Sequence, residues 1–245
     1  ARLPESGVSI VESRQFSRTD RIEIPDWAIP LGASAIPSEV EGPVGAFKSG
    51  FSLRVPLTDT TLYLDYLIAR FRKAGGEIDA NVCFEKLGDV DAKFDLVINC
   101  AGIGARELVR DADLEPHRGQ VAIVPRIKGL TCAIVCDDAP LMYAIPRAND
   151  CVFGGTNEVS DNLAADPETT SRIVAECSRV LNIDKPRVLA ERVGLRPFRR
   201  SGVRLERDRI ADGRAVIHNY GHGGAGFTLS WGCAHEVFEA TVSCR

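Results

Sequence analysis

The chain is poor in the residues that mark several common chemistries. It has one methionine, Met142, two tryptophans, four tyrosines and four histidines in 245 residues. Its eight cysteines, at 83, 100, 132, 136, 151, 177, 233 and 244, include no CxxC pair and no histidine at ligand spacing, so a zinc site has no candidate ligands. No apolar run approaches the roughly 18 residues that a membrane-spanning helix needs. A net charge of −4, with arginines scattered among carboxylates, leaves no basic footprint for nucleic acid. There is no HExxH, no P-loop and no Ser, His, Asp constellation, which removes the usual starting points for hydrolase and phosphoryl-transfer readings. Repeats and low-complexity tracts are also missing, and no signal peptide is visible in these residues.

What is present is an ordinary globular composition, with 44% hydrophobic and 26% charged residues. The length suits one large or two small domains with a sizeable core. Several cysteines sit in apolar strands or helix faces, as Cys100 does after DLVIN, where a thiol behaves as a small hydrophobe. They are read as reduced and intracellular. The first residue is Ala1, so the expected true start lies upstream.

Strand and helix signals alternate along the chain. Val8 to Val11 is a β-branched run, and Phe51, Leu53 and Val55 alternate with polar residues. Pro25 to Pro43 reads as irregular connection anchored by Trp27. A helix is expected over 61–74, with Leu64, Leu67, Ile68 and Phe71 on one face and Gly75 as its stop. Ile78 to Phe84 reads as a strand, and Phe94 to Asn99 as a strand buried on both faces. The latter runs into Cys100, Ala101, Gly102, Ile103 and Gly104, an order that suits an α/β nucleotide-binding turn or a plain turn before a short helix at Glu107. Strands follow at 120–124, 133–136, 142–145 and 151–154, suggesting an antiparallel sheet. A helix at 167–181 is capped by Asp166 with Pro167 in its first turn.

The most informative stretch is NYGHGGAGFT, 219–228, which places four glycines in six residues just before an amphipathic helix. Glycine allows close backbone approach, and the helix start offers unpaired N–H groups and the positive end of its dipole. Something flat or anionic would suit that turn, although a glycine-rich turn without ligand would read the same way.

Taken together, DLVINCAG (95–102), RGQ (118–120), MYAIPR (142–147), VGLRPFRRSGVRLERD (193–208) and IHNYGHGGAGFTLSWGCA (217–234) resemble the D-amino-acid oxidase family of FAD-dependent oxidoreductases. The resemblance is strong from about 94 onward and weaker before it. It implies an α/β fold in which an FAD-binding Rossmann-like domain, incomplete here, is interleaved with a mixed, largely antiparallel β-sheet substrate domain. The expected division is 1–57 and 125–192 for the substrate domain, and 58–124 and 193–245 for the FAD-binding domain.

The resemblance also implies roles for individual residues. Arg196, in GLRP, matches the arginine that pairs with the substrate α-carboxylate, a task suited to a planar guanidinium fork. Tyr143, in MYAIPR, matches a tyrosine whose hydroxyl helps hold that carboxylate. Both are the expected catalytic residues. Gly223, Gly224, Ala225, Gly226, Phe227 and Thr228 would wrap the flavin, while Val82, Cys100, Ala101 and Gly102 would lie along the adenosine half. Arg118 and Gln120 are expected to support the fold near the cofactor, and His222 to be structural. The second tyrosine that animal members carry on a mobile loop is absent, its neighbourhood reading Asp137, Asp138, Ala139, Pro140. Met142 could line the pocket or fill core space.

The implied reaction is oxidative deamination of a D-amino acid by hydride transfer from Cα to flavin N5. It gives a 2-oxo acid and ammonia, with O2 reduced to hydrogen peroxide. Such chemistry asks the protein for orientation more than for proton transfer. A D-aspartate oxidase would need a further cation, for which Arg147 is a candidate, a structural role being the equal alternative, and a D-amino-acid dehydrogenase would pass electrons to a quinone. A non-catalytic or partner-dependent fragment that does not hold FAD is the reading of another class. The family's opening GxGxxG unit, on the order of thirty residues, is not found in the chain and is expected upstream or on a separate chain. Family members are commonly dimers, so a homodimer is possible. The ending SCR is not an SKL-type peroxisomal signal, which leaves cytoplasm as the expected location.

Overall fold

The computed structural model describes residues 4–19, 21–36 and 47–242. In chain order the strands and helices are β1 (Val8–Ser17), β2 (Ser34–Ala35), β3 (Ser49–Thr58), α1 (Thr60–Lys73), β4 (Leu96–Asn99), α2 (Ala105–Leu108), β5 (Leu114–Pro125), β6 (Ala133–Cys136), β7 (Met142–Pro146), β8 (Asp150–Gly154), β9 (Glu158–Val159), α3 (Pro167–Leu181), β10 (Ala190–Arg199), β11 (Arg204–Arg209), β12 (Ala215–Tyr220) and α4 (Gly226–Val242). They form a mixed α/β fold of two compact units. The first comprises 1–79, 120–156 and 164–193, and the second 80–119, 157–163 and 194–245. Strands β5 and β10 contribute residues to both.

The first unit is built on a sheet of order β10-β5-β8-β7-β6-β1-β3-β2. Its neighbours are antiparallel in β5–β8, β8–β7, β7–β6 and β1–β3, and parallel in β1–β6. Period-2 alternation decides which side chains go inside. Ala122, Val124, Met142, Ala144, Cys151 and Phe153 are wholly buried on one face, and α3 covers them with Ile173, Val174, Cys177 and Val180 at helical spacing. Full burial of a side chain such as Phe153 or Met142 contributes about 1.5–3 kcal/mol. Met142 is therefore core. Burial in this core pushes the pKa of the Cys151 and Cys177 thiols up to about 12.

Helix α3 starts where its sequence says it should. The Asp166 carboxylate accepts from the backbone N–H groups of Glu168 and Thr169 at 3.3 and 3.0 Å, and Asn182 closes the helix in the left-handed region at φ 53°. Gln120, completely buried on β5, ties that cap to the sheet. Its amide donates to the Asp166 carbonyl and to Thr170 Oγ1, both at 2.7 Å, and accepts from Asp166 N–H at 3.0 Å.

The second unit has a smaller sheet, β11-β12-β4, antiparallel in the β11–β12 hairpin and parallel between β12 and β4. Val216, Ile217, His218 and Tyr220 are buried in it. Tyr220 donates its hydroxyl to Asp111 at 2.7 Å and accepts from Arg204 Nη1 at 2.9 Å, and Asp111 accepts from Arg199 Nε at 2.9 Å. Burial alone would raise the Asp111 pKa. The Tyr220 and Arg199 hydrogen bonds outweigh it and hold the carboxyl below its usual range.

Several sequence expectations are corrected. Residues 78–84 form no strand: Ile78, Val82 and Phe84 are exposed, and no described strand lies beside them to pair their backbone groups. The strand expected at 94–99 is β4, only four residues long at the edge of its sheet, with Ile98 45% exposed rather than buried on both faces. Helix α1 forms with Asp59 as its cap, but Leu64, Ile68 and Phe71 are exposed and Tyr63 is its buried residue. Trp27 is 62% exposed, and its neighbour Ala28 is the buried residue instead, packed near Phe51 and Leu53. Of the irregular 25–43 connection, 37–43 lie outside the described residues. Helix α1 packs on the 3-10 turn at Pro4–Ser6 within the first unit.

Candidate active site

The glycine turn follows directly from β12. Gly221 and Gly223 have φ values of +86° and +54°, a backbone form that side-chain-bearing residues rarely adopt, and together they swing the chain into a 3-10 turn at Gly223–Ala225 and then into α4. No side chain caps the turn at His222, and the first turn of α4 carries no acidic residue. The positive end of the dipole of this 17-residue helix therefore meets no acidic residue of its own first turn. Ala225 and Gly226 are half-buried, while Gly224, Phe227 and Thr228 are exposed.

A second glycine turn lies beside the first. Strand β4, parallel to β12, ends at Asn99, the register partner of His218. Asn99 Oδ1 accepts from Ala101 N–H at 3.1 Å, so its amide donates to His218 Nδ1 at 3.2 Å, leaving the neutral ring's proton on Nε2. This pair fixes both strand ends. Cys100 and Ala101 lead into Gly102 at φ +56°, and a Cβ built on Gly102 would meet open space. Two glycine turns at the carboxyl ends of adjacent parallel strands are where α/β sheets receive dinucleotides. The arrangement fits FAD. Of the residues expected along its adenosine half, Cys100, Ala101 and Gly102 stand at such a strand end, whereas Val82 is 55% exposed on an irregular segment.

Arg196, on β10, is brought against the first turn. A Cβ on Gly224 would lie 3.5 Å from its Cδ and 3.8 Å from its Nε. Beyond that stem the end of the guanidinium lies against Gly119 of β5, where an added Cβ would come 2.6 Å from Cζ, closer than real carbons approach. Phe198, two residues on, bridges to His222, and its ring lies tilted by 36° against His117 with centroids 4.5 Å apart. His222 is half-buried, and burial holds its pKa below the usual imidazole value, so it is neutral near pH 7. The neighbouring arginines have structural partners: Arg199 on Asp111, Arg200 on Glu115, and Arg192 on the Glu191 carbonyl.

Tyr143, in the first unit, is half-buried on β7 opposite Gly154 of β8. Its ring lies over bare backbone too: Cβ atoms on Gly154 and Gly155 would stand 2.5 and 2.7 Å from its hydroxyl oxygen. Arg147 is not free to meet a second substrate carboxylate. Its Nε and Nη2 grip Asp150 at 2.6 and 2.7 Å and its Nη1 reaches Asp59 at 3.4 Å. Arg118, buried in the second unit, donates to the Asn162 carbonyl at 2.8 Å.

Sequence reasoning passed over Gly119, Gly154 and Gly155. The signal was available, since glycine inside a strand marks a close approach by another group. Two cavities, of about 500 Å³ around Arg204, Asp208 and His218 and about 480 Å³ around Val8, Leu57 and Arg126, take in none of the expected site residues. Among the described residues no helix is long and apolar enough to cross a membrane, and no cluster could hold a metal ion.

Comparison with known proteins agrees with this geometry. The family model described as FAD dependent oxidoreductase (DAO) matches residues 28–240. A D-amino-acid oxidase of Rubrobacter xylanophilus is 38% identical over 238 residues, which cover 96% of this chain and 72% of that protein. One of Streptomyces coelicolor is 38% identical over 244 residues, covering 97% and 73%. The D-aspartate oxidase of Homo sapiens is 31% identical over 254 residues, covering 100% and 72%. Among solved structures, glycine oxidase from Geobacillus kaustophilus superposes with a TM-score of 0.78 at 13% identity, over 95% of this chain and 71% of that one, a likeness of fold. With paired glycine turns at parallel strand ends, an arginine seated beside one of them and a family match over most of its length, the chain belongs to the DAO family of FAD-dependent oxidoreductases.

Proposed function

We propose that the protein is a D-amino-acid oxidase that passes the electrons of its substrate to O2. Bound FAD supplies the two-electron acceptor. The balanced reaction is D-amino acid + O2 + H2O to 2-oxo acid + NH4+ + H2O2. The observation that carries the reading is the seat of Arg196, whose stem runs along the glycine turn at Gly224. A guanidinium held there binds the α-carboxylate with two parallel hydrogen bonds and so sets which way the Cα–H bond points. Tyr143 of the first unit, by the family resemblance, offers a hydroxyl suited to a substrate carboxylate. His222, neutral and half-buried, shapes the turn and moves no proton.

The second unit is the FAD-binding part in this reading, with Gly223 to Thr228 and Cys100 to Gly102 on the cofactor and Val82 beside its adenosine half. The first unit, with Tyr143, supplies the substrate side. Exposed Phe94 and Ile98, just before and on the edge strand β4, support a further segment that pairs there and carries the pyrophosphate turn; the reading places the enzyme in the cytoplasm. Intact mass tests the segment: a flavin-bound species near 26.6 kDa without a companion chain contradicts it.

The activity is tested by peroxide release from the flavin-loaded protein over a panel of D-amino acids, with glycine and L-isomers as controls. Peroxide with D-isomers and a raised KM in Arg196→Ala are expected. Substrate-reduced flavin that O2 does not reoxidise but a quinone does identifies a dehydrogenase instead, and an unchanged KM in Arg196→Ala removes the carboxylate role.

A further inference from the structure

We propose that Gly119 is a positioning residue for substrate binding, because its missing side chain is the seat in which the Arg196 guanidinium lies. Strand β5 gains nothing locally from a glycine at 119: interior glycine weakens a strand and packs no side chain. Its flanking residues, Arg118 and Gln120, are buried and hydrogen-bonded. Gly119 is itself buried, and a Cβ there would stand 2.5 Å from Arg196 Nη2, 2.6 Å from Cζ and nearer still to Nη1. Both terminal nitrogens of the fork and the carbon that joins them thus rest on one stretch of bare backbone.

The direction of the effect follows from which partner can move. The colliding group is the far end of a flexible side chain, whereas Gly119 sits in a paired strand next to the β9 contact at 117–118. A methyl at 119 therefore lifts the guanidinium off its seat and leaves the strand in place. A bidentate pair tolerates little displacement, since both hydrogen bonds depend on coplanarity with the carboxylate. Substrate binding weakens, while the groups that hold the cofactor turn keep their positions.

The proposal rests on Arg196 binding the carboxylate, and a mutant cycle in the flavin-loaded protein separates the two. With the D-amino acid turned over fastest, Gly119→Ala raises KM about tenfold with a smaller change in kcat, the pattern of lost uniform binding. Calorimetric affinity for the matching 2-oxo acid falls in parallel, which reads binding without turnover. In an Arg196→Ala background, Gly119→Ala changes neither quantity further. A KM in Gly119→Ala within about twofold of the parent, or the same added loss in the Arg196→Ala background, overturns the proposal. No change in KM on Arg196→Ala alone instead overturns the carboxylate reading beneath it. Should Gly119→Ala melt early, the double variant decides: recovery to the melting temperature of Arg196→Ala locates the collision at the guanidinium and supports the seat, and no recovery refutes it.

Discussion

Replacing Arg147 by methionine distinguishes a structural cation from one that selects an acidic substrate. Methionine keeps much of the apolar stem and removes the charge. In the native fold Arg147 is 18% exposed, grips Asp150 with two hydrogen bonds at 2.6 and 2.7 Å and approaches Asp59 at 3.4 Å, both carboxylates being 21% exposed. Asp59 also caps α1 through Thr61 N–H at 3.2 Å. Breaking a fully buried ion pair costs about 3–5 kcal/mol. Water reaches a fifth of each group here, so the expected loss is about 1–3 kcal/mol. At about 2–4 °C per kcal/mol for a chain of this size, Tm falls by about 2–12 °C. The same variant is assayed for kcat/KM on D-aspartate and D-alanine. Were Arg147 the partner of a side-chain carboxylate, losing a charge-assisted bond of about 1.5–3 kcal/mol would cut D-aspartate turnover by about 10–150-fold and spare D-alanine. The structure predicts a ratio that stays within about twofold. A selective loss for D-aspartate with an unchanged Tm refutes this account of Arg147.

Two more outcomes follow from buried polar groups. Gln120→Leu leaves the Asp166 N–H without its partner under α3, while the Asp166 carbonyl keeps the Thr170 N–H at 3.0 Å, and is expected to cost about 1–3 kcal/mol in denaturant unfolding; a loss below about 0.5 kcal/mol refutes the claim that this amide joins β5 to the α3 cap. His218, whose folded pKa is held below 6.5 first by burial and then by Arg204, is protonated more readily in the unfolded chain, so its contribution is constant above about pH 6.5 and stability declines as pH falls below it. His218→Asn should flatten the fall in Tm between about pH 7 and pH 5.5, and an unchanged slope counts against the assignment.

Local rules carried the reading where structure is decided within one turn or hairpin. Asp166 and Pro167 mark the start of α3, and the cap forms as their chemistry requires. The alternation at 142–146 and 150–154 gives two paired strands, and the glycines of 221–226 turn the chain into α4. The same rules failed where a distant partner decides. Ile78 to Phe84 has strand-like residues but no described neighbour, so β-propensity had no ladder to join. Strands β10 and β11 went unread as strands because charged residues and Pro197 mask their pattern, although each is long.

The sequence by itself determined the family, the glycine turns and the candidates Arg196 and Tyr143, because those lie in contiguous motifs whose residue types carry the chemistry. Only the tertiary structure decided which carboxylates Arg147 meets and what the candidates rest upon. Arg147 and Arg196 are indistinguishable as residue types, yet one is clamped between Asp150 and Asp59 while the other lies over Gly119 beside Gly224. Such differences arise from contacts between segments far apart in the chain, and side-chain charge, hydrogen bonding and empty space at a glycine acquire their meaning only when those segments meet.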